Sequence, residues 1–217
     1  MRHLRATAFV LAAALAVMLL GGLAACGSSE PSEDGSPTAG ASAASSPAAS
    51  ATKTYRNDEY GFSMEYPESY ELVHFEATMA SGATAPILQV GFFNFEGPML
   101  GEEPLEGLAV AVYKLGRRRS PEEVRQMEEG FRGLVDPQLE ALENVIVVEP
   151  LEAAEIGGVP GFTVSYSHAF EGTELQDLVY LLVEGQHQYE LKAQWVASPG
   201  HEVDPQLEAA VMSFKVD

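Results

Sequence analysis

The sequence predicts an α+β fold in which an antiparallel β-sheet is flanked by helices on both faces, an α/β/α sandwich. Several segments alternate apolar and polar residues with the period of a strand, and a few others begin with the capping residues of a helix. Nearly all aromatic residues lie after position 53, which places the hydrophobic core there. We expect residues 53–217 to form one globular domain, long enough to fold without a metal or a disulfide.

The strands are predicted from two patterns. In three segments apolar and polar residues alternate, so that each strand should have one buried and one polar face. These segments are residues 62–66, 162–170 and 189–195. Three others are apolar throughout, as in strands covered on both sides: residues 87–95, 108–115 and 178–183. Gly185 lies between the last two strands and predicts a tight turn and an antiparallel hairpin. We interpret His168, at the end of an alternating segment, as a hydrogen-bonded residue of the core or its rim.

The helices are predicted from capping signals. The run Ser120-Pro121-Glu122-Glu123 is a capping box with proline at the first helical position, and apolar residues continue at helical spacing to Val135. The hexapeptide Asp-Pro-Gln-Leu-Glu-Ala occurs at 136–141 and at 204–209, with Asp suited to the N-cap in both copies. It predicts two further helix starts, through reused capping chemistry and not through duplication of a domain.

The N-terminal residues predict export and lipidation. Arg2 and Arg5 precede an uncharged apolar stretch, and the run Leu23-Ala24-Ala25-Cys26 follows it. This arrangement resembles the lipobox of bacterial lipoprotein precursors. The resemblance implies that residues 1–25 are a signal peptide, that Cys26 becomes the first residue, and that its sulfur carries diacylglycerol, with a further acyl chain such as palmitate. The protein would be anchored at the extracytoplasmic face of the cell membrane.

Two alternatives to this interpretation stay open. The stretch 6–25 is just long enough to span a bilayer as an uncleaved anchor, although half of it is Ala and Gly. The second alternative is ordinary secretion, in which Cys26 stays unmodified. All three interpretations place the rest of the chain outside the cytoplasm.

Residues 26–52 are predicted to be the lipidated cysteine and a disordered tether. Nearly every residue after Cys26 is Gly, Ser, Ala, Pro or Thr, and none is an aromatic or long aliphatic residue that a core would need. A flexible coil of this length spans on the order of 30 Å. The tether would hold the domain away from the membrane.

Composition excludes several classes of function. Removal of residues 1–25 takes away two of the twelve Lys and Arg and none of the 32 Asp and Glu, so the remaining chain carries 10 − 32 = −22 charges. Nucleic acid and anionic membrane surfaces are therefore expected to be poor partners. Lipidation of the only cysteine, Cys26, would leave no thiol for a disulfide, a metal site or a nucleophile.

The domain also resembles a known family. The run from Tyr55 to Pro67 is similar to the aromatic-rich opening strand of PsbP-like proteins, and Ile156-Gly157-Gly158-Val159-Pro160-Gly161 is similar to their glycine-proline turn into a long strand. The strand 189–195 and a closing helix that runs into Phe214 match the C-terminal end of the family. The resemblance implies an antiparallel sheet between helices, with the helix from Pro121 on one face and the helix from Asp204 on the other. It also implies binding to other macromolecules without catalysis.

No catalytic, cofactor-binding or metal-binding motif occurs in the sequence. It contains no nucleophile elbow, phosphate-binding glycine loop, paired-histidine zinc helix or calcium loop. We therefore predict no enzyme activity, no catalytic residue, no metal site and no cofactor. His201 and Glu202 lie beside Asp204, which is better explained as a helix cap than as a cation ligand.

Two charged segments are the candidate binding sites. The loop between two central strands contains four glutamates with apolar residues between them. The glutamates are Glu96, Glu102, Glu103 and Glu106, and the apolar residues are Met99, Leu100 and Leu105. Long loops on a rigid sheet often carry function. Three interpretations of this loop stay open: a contact surface for a partner, a calcium site, and a solvated acidic loop without a binding role. The second segment is the only basic run of the sequence, Arg117, Arg118 and Arg119. It either binds an anionic envelope component or is a solvated turn whose charge is balanced by nearby glutamates.

These observations give three hypotheses for function. The first is a non-catalytic, membrane-anchored lipoprotein whose domain binds a protein or envelope component through one of the two segments. The second is a small-ligand or calcium-binding lipoprotein with a pocket between sheet and helix. The third is an envelope hydrolase, for which the sequence offers no nucleophile with an adjacent base.

Overall fold

The computed structural model of the chain describes residues 51–75, 86–142, 144–198 and 204–217. Cys26, the predicted signal peptide and nearly all of the predicted tether lie outside these residues. The described part is mostly antiparallel β-sheet with three helices. None of these helices has the length and apolar character needed to cross a membrane.

A small sheet opens the domain. It consists of β1 (Thr52–Asn57), β2 (Phe62–Pro67) and β11 (Lys215–Val216), with β2 in the centre and antiparallel to both neighbours. The alternation in β2 predicted from the sequence is confirmed, because Phe62, Met64 and Tyr66 are buried. β11 was not predicted.

The main sheet contains six elements in the order β3-β4-β7-β10-β9-β8, and all neighbours are antiparallel. Their bounds are β3 (Glu71–His74), β4 (Leu88–Phe93), β7 (Gly107–Arg119), β8 (Ile146–Ile156), β9 (Val159–Phe170) and β10 (Thr173–Val196). A two-stranded ribbon of β5 (Met99–Leu100) and β6 (Glu103–Pro104) lies in the predicted acidic loop.

β10 folds back on itself at Gly185. The Ala197 N–H donates to the Glu174 carbonyl at 2.9 Å, although a straight strand between these residues would extend roughly 75 Å. Gly185 has a φ of +60°, which suits the first central position of a two-residue hairpin turn. The first arm of β10 (173–184) pairs with β9 and the second arm (187–196) with β7. The hairpin predicted at Gly185 is confirmed.

Two further tight turns connect β8 to β9, at Gly157 and Gly158, and β9 to β10, at Glu171 and Gly172, where φ is again positive. Gly157 and Gly158 have φ values of +59° and +85°, as a type I′ hairpin turn requires. They lie in the glycine-proline segment noted in the sequence. Gly161 allows a close approach of β9 to β10, because a Cβ atom there would lie 2.1 Å from the Leu181 carbonyl oxygen.

The helix predicted from Pro121 is two helices, α1 (Pro121–Arg125) and α2 (Glu128–Glu140). The capping box at Ser120 is confirmed. α1 ends early because the Gln126 and Met127 N–H groups bond to carbonyls three residues back, which tightens the last turn.

The predicted helix start at Asp136 is wrong, because Asp136 and Pro137 lie inside α2. The apolar stripe of α2 continues through the proline from Phe131 to Val135 and Leu139, all buried. Burial of this stripe outweighs the local preference of an Asp-Pro pair to begin a helix. The second copy of the hexapeptide does begin α3 (Pro205–Met212), where an Asp204 carboxylate oxygen accepts from the Gln206 and Leu207 N–H groups at 2.8 and 3.1 Å.

Two large apolar clusters form the core. One joins the small sheet and α3 to the main sheet and includes Phe62, Leu182, Tyr189, Leu207 and Phe214. The other joins α1 and α2 to the main sheet and includes Val124, Phe131, Phe162, Val179 and Leu181. Consecutive residues of β10 such as Leu181 and Leu182 belong to different clusters, as expected for side chains that alternate across a strand.

Candidate functional site

The second arm of β10 carries four long polar side chains on one face: Gln188, Glu190, Lys192 and Gln194. The sequence indicated a polar face here, and the structure buries it, since these residues expose only 0, 3, 4 and 1 % of their surface. Their direct partners on β7 include Gly107, Ala109 and Ala111, whose small side chains leave room for the long ones. We call these four residues, together with Asp177 and His168, the buried polar face.

A charged group lies at the centre of the buried polar face. Asp177 is fully buried, and its Oδ2 atom lies 3.2 Å from Nζ of Lys192 and 3.1 Å from Nε2 of His168. Burial acts to raise the pKa of Asp177, but the Lys192 charge and the His168 contact outweigh it and hold that pKa below its ordinary value. Asp177 is thus a buried carboxylate that depends on its two neighbours.

The predicted role of His168 agrees with this geometry. The residue exposes 9 % of its surface and contacts Asp177. It lies in the core near the end of β9, where the sequence placed a hydrogen-bonded core or rim residue.

Glu190 titrates near neutral pH. Burial raises its pKa to about 7, while the nearby Lys192 and the Tyr113 hydroxyl act in the opposite direction. The Tyr113 hydroxyl donates to Oε2 of Glu190 at 3.3 Å, and burial raises the pKa of Tyr113 far above its ordinary value. Tyr113 therefore remains a neutral donor while Glu190 exchanges a proton.

Several polar atoms of the buried polar face have no hydrogen-bond partner among the described residues. They include both amide atoms of Gln188 and Oδ1 of Asp177. Gln194, by contrast, donates from Nε2 to the Leu105 carbonyl at 3.4 Å, which joins the sheet to the acidic loop. An unpaired buried amide costs about 1–3 kcal/mol, so the Gln188 side chain is a candidate contact for a polar ligand.

The glutamates of the acidic loop have different environments. Glu96 and Glu102 are exposed, and Glu103 lies half-buried in β6. Within the described ranges, no three His, Cys, Asp or Glu side chains are grouped closely enough to hold a metal ion. The segment with His201 and Glu202 lies outside the described residues.

Glu106 fastens the acidic loop to the domain. Its Oε1 atom accepts hydrogen bonds from the Tyr70 hydroxyl and, at 3.1 Å, from the amide of Asn94. Leu105, one of the apolar residues that the sequence places between these glutamates, is buried and exposes only 3 %. The base of the loop is therefore fixed, while its tip at Glu102 faces solvent.

The arginine run lies at the other end of β7. The strand begins at Gly107, beside the acidic loop, and ends at Arg119. The partners of these two residues on β10, Gln194 and Gly185, are nine positions apart, so roughly 30 Å separate the two segments. Nη1 of Arg117 contacts Oε1 of Glu123 at 2.6 Å, so the glutamate of the capping box balances this arginine. Arg118 is exposed and Arg119 is half-buried. The structure does not bring the two candidate segments together.

The fold is similar to that of a solved cyanobacterial protein. The solution structure of cyanobacterial PsbP (CyanoP) from Synechocystis sp. PCC 6803 matches with a TM-score of 0.54 over 82% of this chain and 98% of CyanoP. The chain has a PsbP-like fold. Sequence identity is 16%, so this comparison shows the PsbP-like fold alone.

Other comparisons are weaker. LpqN of Mycobacterium tuberculosis, described as involved in cell envelope biogenesis, matches with a TM-score of 0.49 and 14% identity over 76% of this chain and 90% of LpqN. A crystal structure from Bacteroides thetaiotaomicron VPI-5482 gives a TM-score of 0.47 and 14% identity over 76% of this chain and 48% of that one. No protein-family model matches the sequence, and no curated protein is significantly similar to it.

Sequence reasoning missed the charged centre of this PsbP-like fold. Asp177 directly precedes the apolar run 178–183, and a lone acidic residue in that position was the available signal. Glu190 and Lys192 alternate with Tyr189 and Leu191, which identifies the face they occupy but not its burial. Pairing across the hairpin, which brings Lys192 to Asp177, became visible only in the structure.

Proposed function

We propose that this protein is a lipid-anchored component of the extracytoplasmic face of the cell membrane, and that its PsbP-like domain binds a protein or another envelope component without catalysis. The observation that carries the anchoring is the run Leu23-Ala24-Ala25-Cys26 behind a basic and apolar N-terminus. Two or more acyl chains on Cys26 would hold the protein stably at the membrane.

The acidic loop is the proposed contact surface. Glu96 and Glu102 are exposed, whereas Leu105 and Glu106 fix the base of the loop against the domain. A loop held in one conformation binds a partner with less loss of conformational entropy than a mobile one. The surplus of negative charge favours a partner with a basic surface.

The proposal includes a layered arrangement of the domain. The small sheet and α3 would cover one face of the main sheet, and α1 and α2 the other. The division of the core into two clusters, one with Leu182 and Leu207 and one with Leu181 and Phe131, supports this arrangement.

Crosslinking in the native membrane tests the contact surface. The lipidated full-length protein would be compared with a variant carrying Glu96→Gln and Glu102→Gln and with a control carrying Glu149→Gln and Glu152→Gln on the exposed side of β8. We expect mass spectrometry to find a specific partner with the unchanged protein and the control, and not with the loop variant. Equal capture by all three would place the contact elsewhere.

Lipidation has a separate test. Substitution Cys26→Ser should abolish incorporation of labelled palmitate and leave residues 1–25 uncleaved, so the variant should migrate as the longer precursor while the unchanged protein is labelled and shortened. Absence of label in the unchanged protein, together with retention of residues 1–25, would favour an uncleaved anchor formed by residues 6–25 instead.

A small polar ligand at the buried polar face is the second candidate function. It is favoured by the two unpaired amide atoms of Gln188, which lies fully buried beside Glu190. Thermal denaturation in the presence of individual amino acids and neutral sugars would detect such a ligand as a saturable rise in Tm. The rise should disappear in Gln188→Leu, and no rise with any of these probes in the unchanged protein would count against this candidate.

A further inference from the structure

Cations are concentrated in one part of this acidic protein. After Cys26 the chain contains ten Lys and Arg residues, and six of them fall between positions 114 and 132: Lys114, Arg117, Arg118, Arg119, Arg125 and Arg132. The same chain carries 32 Asp and Glu. With this excess of carboxylates, every one of the six could be expected to have an acidic neighbour.

Three of the six do have one. Arg117 contacts Glu123 at 2.6 Å, Arg125 contacts Glu155 at 3.6 Å, and Arg132 contacts Glu128 at 2.9 Å. These pairs lie at the surface, where they contribute little to stability but leave the arginines neutralised.

The other three cations have no carboxylate in direct contact within the ranges that the structure describes, although the charge of Arg119 is near enough to help lower the pKa of Glu123. Among the described residues, no carboxylate lies within ion-pair distance of Lys114, Arg118 or Arg119. The Nε atom of Arg119 is buried and has no hydrogen-bond acceptor in the described part of the chain. A buried guanidinium donor without an acceptor is costly unless something else supplies the acceptor.

Strand pairing gathers these cations at the hairpin of β10. His187 is the direct partner of Lys114, and Gly185 is the direct partner of Arg119. Side chains of direct partners in an antiparallel pair lie about 5 Å apart at Cβ, which places the His187 ring beside the Lys114 side chain. The His187 ring is half-buried and lies 6.0 Å from the ring of Tyr60, centroid to centroid. Burial and the charge of Lys114 lower the pKa of His187, so its ring is neutral at neutral pH and the charge comes from the other three residues. We call Lys114, Arg118, Arg119 and His187 the basic tip.

The net charge limits what the basic tip can bind. An extended polyanion would be repelled by the 32 Asp and Glu residues of the chain, which outnumber its cations. A compact anion is different, because salt screens charges beyond about 8 Å and leaves mainly the nearest cations to act on it. Arginine forks and a lysine ammonium are the groups that proteins use for phosphate.

We propose that the basic tip binds a single phosphate group of a phosphate ester. The ester is either a free molecule or a lipid headgroup, since both present the same group. The site is distinct from the proposed contact surface, which lies at the opposite end of β7.

Calorimetry with the full-length protein in neutral detergent tests the proposal. The probes are inorganic phosphate and glycerol 3-phosphate, with chloride as the control anion. We expect saturable binding of the phosphate probes, and a loss of affinity of at least about tenfold when Lys114, Arg118 and Arg119 are all changed to Gln. Arg118→Gln alone, at an exposed position, should weaken binding without disturbing the fold.

A matched control and a second measurement complete the test. Arg125→Gln with Arg132→Gln removes the same kind of charge from paired positions and should leave affinity for the phosphate probes unchanged.

Hydrogen exchange at residues 114–119, with the lipidated protein in nanodiscs, distinguishes a lipid headgroup from a free ester as the source of the phosphate. Protection in phosphatidylglycerol discs but not in phosphatidylcholine discs indicates a headgroup. Protection only on addition of glycerol 3-phosphate indicates a free ester.

Two results would overturn the proposal. One is the absence of saturable binding for both phosphate probes together with unchanged exchange in both kinds of disc. The other is an equal loss of affinity in the control variant, which would mean that the general charge of the domain governs binding and not the basic tip.

Discussion

Nζ of Lys192 lies 3.2 Å from Oδ2 of Asp177, although both residues belong to β10 and are separated by fifteen positions. The contact exists because the element reverses at Gly185 and lays its second arm beside its first. The pair is buried, and His168 of β9 contacts the same carboxylate oxygen. One carboxylate thus links three neighbouring segments at the middle of the main sheet.

Loss of this carboxylate should destabilise the domain strongly. Asp177→Asn removes one charge of a buried ion pair with Lys192, and breaking a buried pair from one side typically costs about 3–5 kcal/mol. Urea denaturation would measure the change in the free energy of unfolding. Asp58→Asn, in an exposed pair with Arg56, is the control and should change stability little. An equally small effect at Asp177 would mean that Lys192 finds another partner.

The raised pKa of Glu190 should make stability depend on pH. A carboxyl whose pKa rises from 4.5 to about 7 on folding favours the folded state while protonated, so stability falls as pH rises from about 5 to 7 and then levels off. The resulting decrease in the free energy of unfolding is roughly 3 kcal/mol in total. Glu190→Gln cannot ionise and should remove this component.

Denaturation at several pH values would show this difference. Relative to Glu190→Gln, the unchanged protein should become progressively less stable between pH 5 and 7.5. The exposed Glu149→Gln is the matched control and should follow the unchanged protein. Parallel curves for Glu190→Gln and the unchanged protein would show that Glu190 is not protonated at neutral pH.

The turn of β10 should require glycine. Gly185 has a φ of +60°, and an alanine there costs about 1–2 kcal/mol because its Cβ approaches the next carbonyl. Gly116 in β7 has no positive φ and open space around its Cβ position, so Gly116→Ala should be tolerated. Thermal unfolding of both variants would test the assignment, and equal Tm values would contradict a hairpin at Gly185.

The anchor of the acidic loop should control its opening. Tyr70→Phe removes the hydroxyl that donates to Glu106, and a hydrogen bond to a charged group contributes about 1.5–3 kcal/mol. We expect faster hydrogen exchange at residues 94–106 and little change elsewhere. Tyr60→Phe, which loses a 3.4 Å contact to the Ile87 carbonyl and a hydrogen bond with Glu59, both outside the acidic loop, is the control. Uniform acceleration in both variants would indicate global destabilisation instead.

Local signals in the sequence predicted much of the fold. Ser120 and Asp204 cap helices as expected, and Gly185 forms the expected turn, because each depends on the chemistry of a few adjacent residues. Asp136 carries the same signal as Asp204 but lies within α2, where packing of the apolar stripe decides. β8 was not predicted, since Pro150 and its glutamates obscure the strand pattern at this sheet edge.

The candidate sites were less accessible to sequence reasoning. Alternation placed Glu190 and Lys192 on one face, but burial of that face depends on segments distant in sequence. The environments of Glu106 and Arg117 likewise depend on Tyr70 and Glu123, which only the folded chain brings close. Lipidation at Cys26 is the opposite case, since its signal is entirely local, and it stays a prediction.

The hairpin of β10 also bears on the order of folding. β8, β9 and the two arms of β10 pair with their neighbours along the chain through short turns, so these contacts close small loops. β7, in contrast, meets the second arm across a separation of 73 positions, from Lys114 to His187. Because longer loops cost more entropy to close, residues 146–196 should nucleate first. During synthesis β7 must therefore wait without its central partner until that later segment has emerged.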